Sequence, residues 1–266
     1  MPPQVSIVTV YYNAPEDVLA LHQSMQLHLP PDEFEWIVAD NQSRENLAEK
    51  LPGAIYLRLP ENYGFGKANN FAVEKASAPY LFFVNPDCLF IENSLPDLVT
   101  AMQEVAVAGP RVLNEDGSLQ LSFGPFLSIG NEFLQRRRMK LEKSEKMQKW
   151  IQDSGQSFVD YVSGCALMIS TKVFREIGGF DEKFFLYEED VDLCKRVHDR
   201  GLKTLYVRSA SIVHKRGTAV RKEKGRSQDE YRKSQIYYYR KHHGWIQNTL
   251  LRVYLRISGK DTAGGL

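Results

Sequence analysis

The feature that most constrains the fold is a repeating strand and helix pattern over the first 84 residues. Short runs rich in β-branched and aromatic residues predict strands, and a helical spacing of apolar residues follows each one. The predicted strands are 5–11, 34–39, 54–59 and 80–84, and the predicted helices are 15–28, 45–51 and 66–76. This alternation predicts an α/β fold, a Rossmann-like, mainly parallel sheet flanked by helices.

The second half of the chain has a less regular pattern. Residues 127–153 are helical in pattern and charged, include Arg136-Arg137-Arg138, and are interpreted as an insertion or lid. Beyond them we predict strands at 158–162, 165–170, 203–207 and 211–213, and helices at 171–176, 189–200, 227–243 and 245–257. Thr171 is the expected N-cap of its helix, and Gly201 is expected to end the helix before it.

Composition narrows the class of protein. With 266 residues, 43% hydrophobic and 25% charged, the chain can bury a core of one or two domains. Its net charge of +1 provides no overall attraction for nucleic acid. Three widely separated cysteines indicate neither a disulfide framework nor a structural zinc, and they favour the cytoplasm. Neither a signal peptide nor an apolar run near the roughly 20 residues of a spanning helix is found.

Each predicted strand ends in a polar cluster, and in a parallel sheet these ends share the edge where ligands bind. Asn85-Pro86-Asp87 follows the apolar strand at 80–84. A carboxylate at Asp87 can hold a divalent cation, which suits a substrate diphosphate. A plain turn is the alternative, because Asn, Pro and Asp are all common in turns.

Two further strand ends carry candidate binding residues. Asp40 can accept a hydrogen bond from the ring N–H of a pyrimidine, or it can cap the next helix, and the motif favours neither. The segment from Asn62 to Asn70 contains two glycines and opens a helix, so it can approach a phosphate or ribose. Lys67 there can pair with a phosphate or remain solvated.

The segment 178–194 contains six carboxylates among aromatic residues. Asp190 is our candidate general base, supported by Glu189. Acidic residues in a first helical turn are also favoured by the helix dipole, which is the structural alternative. The nearby rings, which can raise the pKa of the base and contact a sugar or simply form core, are Phe184, Phe185 and Tyr187. His214 follows another predicted strand and can ligate the cation, contact the diphosphate or lie on the surface.

Together and in this order, these motifs resemble the family 2 glycosyltransferases of the GT-A fold, particularly the bacterial rhamnosyltransferase-like branch. The resemblance runs from Val5 to about Gly244. Its marks are the segments 5–13, 40–43, 62–66 with Asn69-Asn70, 85–87, 178–182 with Tyr187, Glu189 and Asp190, and His214. The run Gln235–His242 also resembles that branch.

The resemblance implies a nucleotide-sugar donor, with Mg or Mn bridging its diphosphate at Asp87 and His214. Asn85 replaces the first carboxylate of the wider Asp-X-Asp motif, which leaves the metal site with less charge. Asp190, with Glu189, would deprotonate an acceptor hydroxyl as it attacks the anomeric carbon, so one displacement inverts that centre. The substrate-binding residues it implies are Thr9, Tyr11, Asn13, Asp40, Asn41, Asn62, Gly64, Phe65, Lys67, Asn69, Asn85, Gly164, Asp181 and Tyr187.

The resemblance also suggests a donor, an acceptor and a domain division. The lead donor is dTDP-rhamnose, with a UDP-sugar as the alternative, and the acceptor is a glycan, expected to be lipid-linked. Residues 1–225 would form the GT-A domain, with a nucleotide-binding half at about 1–115 and an acceptor half at about 116–225. Residues 226–266 would form a C-terminal helical extension.

The basic C-terminal part of the chain permits more than one interpretation. Residues 215–260 contain 13 Lys and Arg against 3 Asp and Glu. The last helix can lie on an anionic inner membrane face as an interfacial helix, or dock its apolar side on the body. Its aromatics match no nucleic-acid module. A non-catalytic sugar-nucleotide-binding or scaffold subunit and a metal-dependent nucleotidyltransferase are the rival functions.

Overall fold

The computed structural model describes residues 2–131, 142, 144–153, 157–216 and 224–257. Its strands are β1 (Val5–Tyr11), β2 (Phe34–Asp40), β3 (Ala54–Arg58), β4 (Tyr80–Val84), β5 (Cys88–Phe90), β6 (Val107–Leu113), β7 (Leu119–Gln120), β8 (Phe123–Gly124), β9 (Ser157–Val159), β10 (Tyr161–Val162), β11 (Ala166–Ser170) and β12 (Thr204–His214). Its helices are α1 (Pro15–His28), α2 (Gly64–Val73), α3 (Leu95–Ala101), α4 (Glu145–Asp153), α5 (Thr171–Glu176), α6 (Glu189–His198), α7 (Lys224–His242) and α8 (Gly244–Ile257).

The main sheet has the strand order β3-β2-β1-β4-β11-β6-β12-β5. Strand β1 is parallel to β2 and β4, β2 is parallel to β3, and β6 is parallel to β12. Strand β11 lies antiparallel between β4 and β6, and β5 lies antiparallel to β12. The predicted α/β class is therefore confirmed, and the parallel half carries the predicted polar strand ends along one edge.

Helices cover both faces of this sheet. Leu21 of α1 and Leu98 of α3 belong to one apolar core, and Ala72 of α2 and Leu193 of α6 belong to the other. A third cluster lies beneath the C-terminal helices and includes Phe184, Val191, Tyr238, Tyr239, Leu251 and Leu255. This third cluster links α7 and α8 to the segment that precedes α6.

Several predicted elements differ from the structure. The helix predicted at 45–51 is only a 3₁₀ turn at Ala48–Lys50. The two strands predicted at 203–207 and 211–213 form one strand, β12, whose pairing with β6 shifts register between Val207 and Ser211. Thr171 is not an N-cap, because the hydroxyl of Ser170 accepts the N–H of Val173 and caps α5 instead.

The segment interpreted as a lid is described only in part. Residues 145–153 are helical, as predicted, whereas Arg136-Arg137-Arg138 lie outside the described residues. None of the helices in the described part of the chain is long and apolar enough to cross a membrane.

Candidate active site

Gly164 and Cys165, just before β11, join the candidate base to the turn that carries the candidate metal carboxylate. The N–H of Gly164 donates to Oδ2 of Asp190 at 2.7 Å. The carbonyl of Cys165 accepts the N–H of Asn85 at 2.9 Å and the thiol of Cys88 at 3.3 Å. A Cβ on Gly164 would lie 3.2 Å from that of Asp190, so this glycine permits the close approach. Asp190 and the turn holding Asp87 are therefore attached to neighbouring peptide units.

Asp190 is partly exposed and lies in the first turn of α6. Its other oxygen, Oδ1, accepts the N–H of Val191 at 2.8 Å. Burial raises the pKa of Asp190, although hydrogen bonds from Gly164 and Val191 favour the carboxylate. Tyr187 and Glu188, just before the helix, both have positive φ, at 71° and 66°. Such a conformation costs free energy and is typical of functional segments.

Glu189 occupies a different environment from its neighbour. Its side chain is buried, and Oε2 has no hydrogen-bond partner in the described part of the chain. Burial, followed by the charge of Asp190, raises the pKa of Glu189 well above its ordinary value. The protonated form is therefore favoured at Glu189, which leaves Asp190 better suited to accept a proton.

The residues able to hold a cation converge near the end of β12. In the described residues, one group of His, Cys, Asp and Glu ligand atoms lies within 4.8 Å, formed by Asp87, Cys88 and His214. Pairing of β5 with β12 sets His214 opposite Cys88. Nε2 of His214 lies 3.3 Å from Oδ1 of Asp87, and Nδ1 lies 3.1 Å from the amide of Gln120.

This donor set fits a divalent cation. Carboxylate oxygen and imidazole nitrogen both ligate ions such as Mn²⁺, and Asp87 and His214 are the residues that would hold one. Burial alone would lower the pKa of His214, but Cys165 and Asp87 raise it to about 10. Metal binding must therefore displace a proton from the imidazole. Burial raises the pKa of Cys88, whose thiol donates to the Cys165 carbonyl.

Asp40 ends β2 with its carboxylate fully buried. Oδ1 accepts the N–H of Ser43 at 2.7 Å, and Oδ2 accepts from the hydroxyl of Tyr56 at 2.8 Å and from Arg58 at 3.1 Å. The helix-capping alternative is wrong, because the next element after β2 is the 3₁₀ turn Ala48–Lys50, which begins eight residues later and is followed by β3. Contact with a pyrimidine would require the groups that bury this carboxylate to move. The sequence reasoning missed Tyr56 and Arg58, although an arginine at the end of a neighbouring strand was a usable signal.

Asn41 joins the end of β2 to the start of α2. Its amide donates to Oδ1 of Asn62 at 2.8 Å and to the carbonyl of Gly64 at 3.0 Å, and its oxygen accepts the N–H of Tyr63. Gly64 has φ +77°, and a Cβ there would lie 2.1 Å from the carbonyl oxygen of Phe185. That carbonyl accepts the N–H of Phe65 at 2.9 Å. The glycine thus allows α2 to touch the segment before Asp190.

The other predicted residues of α2 have partners within the protein. The ring of Phe65 packs edge-on against Phe180. Lys67 lies 3.5 Å from Glu182. Asn69 is buried and donates to the Phe65 carbonyl, while its Oδ1 has no partner among the described residues.

The predicted substrate-binding residues in β1 and in the loop after it contact other parts of the protein, which leaves them less accessible to a ligand. The hydroxyl of Thr9 is buried and accepts from Trp36 at 3.1 Å. Tyr11 is buried and donates to the Glu45 carbonyl. Asn13, at φ 52°, accepts the N–H of Arg44. These contacts hold the loop after β1 against the segment that follows Asp40.

Asp181 and Tyr187 contact the C-terminal helix α7. Asp181 accepts from Tyr237 at 2.8 Å and from Lys241 at 2.7 Å. Burial opposes its ionisation, but Lys241 and the other donors hold the pKa of Asp181 below its ordinary value. The hydroxyl of Tyr187 bonds that of Ser227. Lys241 also meets the fully buried Asp192 of α6. The sequence reasoning did not anticipate this role for α7.

The mixed α/β sheet carries a carboxylate, a histidine and a general-base candidate along one edge, as expected for a glycosyltransferase of the GT-A fold. The model for glycosyl transferase family 2 matches residues 6–178, more than half of the chain, and a model described as the N-terminal domain of galactosyltransferase matches residues 152–220. The chain belongs to glycosyl transferase family 2. The predicted family is thereby confirmed.

Some of the curated relatives have rhamnosyltransferase names. An N-acetylglucosaminyl-diphospho-decaprenol L-rhamnosyltransferase of Mycobacterium tuberculosis is 26% identical over 243 residues, covering 79% of this chain and 76% of the relative. Rhamnosyltransferase WbbL of Escherichia coli is 25% identical over 201 residues, covering 71% of this chain and 75% of the relative. The rhamnosyltransferase-like branch predicted from the sequence agrees with these names.

Solved structures share the fold. GalNAc-T7, crystallised with UDP, GalNAc and Mn²⁺, has a TM-score of 0.60 and 17% identity. The similarity covers 79% of this chain and 43% of that one. At this identity the comparison establishes the fold alone.

Proposed function

We propose that this protein is an inverting glycosyltransferase that moves a sugar from a nucleoside diphosphate donor to a hydroxyl of a lipid-linked bacterial surface glycan. The observation that carries the proposal is the joint anchoring of Asp190 and the Asn85–Cys88 turn on Gly164 and Cys165. This anchoring attaches the proton acceptor and the diphosphate-binding turn to two neighbouring peptide units. Inverting transfer needs these two functions together.

Asp190 acts as the general base in this proposal. As the acceptor hydroxyl attacks the anomeric carbon, its proton passes to a carboxylate oxygen of Asp190. The bond from the anomeric carbon to the donor phosphate breaks, and its electron pair leaves with the diphosphate. The hydrogen bonds from Gly164 and Val191 fix the carboxylate's orientation, and its raised pKa makes it a stronger base.

Asp87 and His214 are the residues that would hold a divalent cation, Mg or Mn, at the diphosphate end of the donor. When bound, such a cation would supply positive charge that stabilises the departing diphosphate. Asn85 adds no charge of its own, so the site depends on one carboxylate. The Asn62–Gly64 turn and the end of β2 would bind the nucleoside, since these strand ends lie on the same sheet edge.

We propose dTDP-rhamnose as the donor and a lipid diphosphate-linked saccharide as the acceptor. Support comes from the names of the mycobacterial relative and of WbbL. The proposal extends to peripheral contact with the inner face of the cytoplasmic membrane, where such an acceptor would be presented.

The test combines nucleotide binding with transfer. We would measure thermal shifts with dTDP, UDP, GDP and CDP, with and without manganese, since a ligand at 100 times its dissociation constant stabilises by about 2.7 kcal/mol. Asp190→Asn should keep the shift of the wild type and lose transfer. Asp199→Asn, an exposed aspartate beyond the same helix, is the matched control. Transfer by Asp190→Asn at the wild-type rate would refute the assigned base, and binding without transfer by the wild type would favour the scaffold function.

A further inference from the structure

Helix α8 has apolar residues on two sides, and only one side is covered. Leu251 and Leu255 are buried in the cluster that contains Phe184, Tyr238 and Tyr239. The interpretation that α8 docks on the body is therefore correct for this inner side. The docked side contributes to the same cluster as Val191, the residue after the candidate base.

The opposite side of α8 is apolar and exposed. Ile246, Leu250, Val253 and Ile257 follow one another at intervals of four, three and four residues, so they form one stripe along the helix. Trp245 is also exposed, about 100° around the helix from Ile246, on the side that carries Arg252 and Arg256. We call the four residues of the stripe together with Trp245 the outer stripe; their exposed fractions range from 48% to 83%. They account for five of the eleven large hydrophobic residues that are exposed in the described part of the chain.

The charge of α8 indicates which kind of partner would cover the outer stripe. The segment Gly244–Ile257 contains Arg252 and Arg256 and no Asp or Glu. Helix α7 adds the exposed Arg240. Pairing with a second copy of α8 would bring arginines together without a carboxylate from either helix. An anionic lipid surface instead supplies an apolar layer beneath negative headgroups, and tryptophan is favoured at that boundary.

We propose that the outer stripe docks the protein on an anionic lipid bilayer, with α8 lying in the plane of the headgroups. Only the purpose of this docking, which is to bring the site to a lipid-linked acceptor, rests on the proposed function. Leu251 and Leu255 on the inner side of α8 share one apolar cluster with Phe184 and Val191, so packing links the helix at the lipid surface to the segment carrying Asp190. An interfacial helix of this kind binds through apolar burial and basic charge together.

The first experiment is vesicle flotation of the full chain. Vesicles would contain phosphatidylcholine alone or phosphatidylcholine mixed with phosphatidylglycerol. The wild type should float with the anionic vesicles, and the double variant Leu250→Glu and Val253→Glu should lose at least about tenfold in partitioning, equal to about 1.4 kcal/mol. Leu27→Glu is the matched control, because Leu27 is 76% exposed on α1. This control should float like the wild type.

A second measurement does not depend on the double variant folding. Lipids brominated in their acyl chains should quench the fluorescence of the wild type, and Trp245→Phe should remove that quenching. Absence of flotation and quenching in the wild type would overturn the proposal, as would equal flotation of the double variant. A concentration-dependent dimer that the double variant abolishes, without lipid binding, would assign the stripe to a second copy.

Transfer assays separate this inference from the proposed function. With a water-soluble, short-chain acceptor the double variant should retain the wild-type rate, whereas with the acceptor embedded in vesicles the rate should fall with the partitioning. Failure of the wild type with both acceptors would refute the proposed function and leave the flotation result standing. Equal rates of wild type and double variant on embedded acceptor would overturn the purpose assigned to docking.

Discussion

Replacement of Gly64 by alanine tests the contact between α2 and the segment before Asp190. Gly64 has φ +77°, and a Cβ would lie 2.1 Å from the carbonyl oxygen of Phe185, where about 3.0 Å is the closest tolerable approach. Either the Phe185 carbonyl or the start of α2 must therefore move by about 1 Å, which also weakens the 2.9 Å hydrogen bond from Phe65. Because Phe185 lies only a few residues before Asp190, the base should move with it.

The expected loss has three parts. A left-handed conformation costs an L-residue about 1–2 kcal/mol, overpacking adds about 1–3 kcal/mol, and loss of the hydrogen bond adds about 0.5–1.5 kcal/mol. Gly64→Ala should therefore lower the free energy of unfolding by about 3–6 kcal/mol. Gly53→Ala is the matched control, since Gly53 has φ +85° and nothing within 4 Å of a Cβ. Only the first cost, about 1–2 kcal/mol, applies there.

Thermal unfolding and transfer rate provide the readouts. The two variants differ by about 1.5–4.5 kcal/mol, so at about 2–4 °C for each kcal/mol Gly64→Ala should melt roughly 3–18 °C below Gly53→Ala. Its kcat should also fall, whereas Gly53→Ala should keep the wild-type kcat. Equal melting temperatures in the two variants, with kcat unchanged in both, would refute the steric argument.

Four further predictions concern the residues around the site. Because the pKa of Asp190 is raised, we expect kcat/KM to decline, as the pH is lowered, already at pH values above 3.8, the ordinary pKa of an aspartate. A pH–rate profile that is flat down to pH 4 would contradict this. Asp190→Asn should lower kcat by about 10²–10⁴, measured in single turnovers. Ser234→Ala removes the 2.8 Å hydrogen bond from the Ser234 hydroxyl to the Leu186 carbonyl. This variant should lower kcat more than it changes KM, and Ser234→Thr should restore kcat. If Ser234→Ala lowers only the melting temperature, the role of Ser234 is structural. Burial opposes the ionisation of Asp192, but His242 and the other basic partners hold its pKa below the ordinary value. The ionised carboxylate therefore stabilises the folded protein above pH 3.8, and this stabilisation is lost as the pH falls through the lowered pKa. Asp192→Asn should therefore cost about 3–5 kcal/mol at neutral pH and flatten the acid side of the urea-unfolding stability profile.

Much of the fold could be predicted from local patterns. Strand β1, helix α1 and strand β4 have the bounds that the sequence predicted, because apolar periodicity and strand-ending polar residues are determined by near neighbours. The helix predicted at 45–51 failed because a short weak pattern gave way to contacts of Tyr11, Leu47 and Tyr56 across the chain. Family-specific motifs also identified Asp87, Asp190 and His214 as candidates.

The contacts that build the site connect distant parts of the chain. Three hydrogen bonds show this. The partners Asp190 and Gly164 are 26 positions apart in the sequence, Cys88 and Cys165 are 77 apart, and Asp181 and Lys241 are 60 apart. No local pattern specifies these pairs, since each depends on which elements pack together.

The sequence by itself determined most elements of the first 84 residues and the polar side chains at their strand ends. Tertiary structure decided that Gly164 and Cys165 support both the candidate base and the candidate metal-binding turn, that Asp40 is buried under its own partners, and that α8 buries one apolar side while exposing the other. The physical reason is that periodicity and capping depend on residues within a few positions, whereas burial and hydrogen-bond partners depend on the packing of the whole chain.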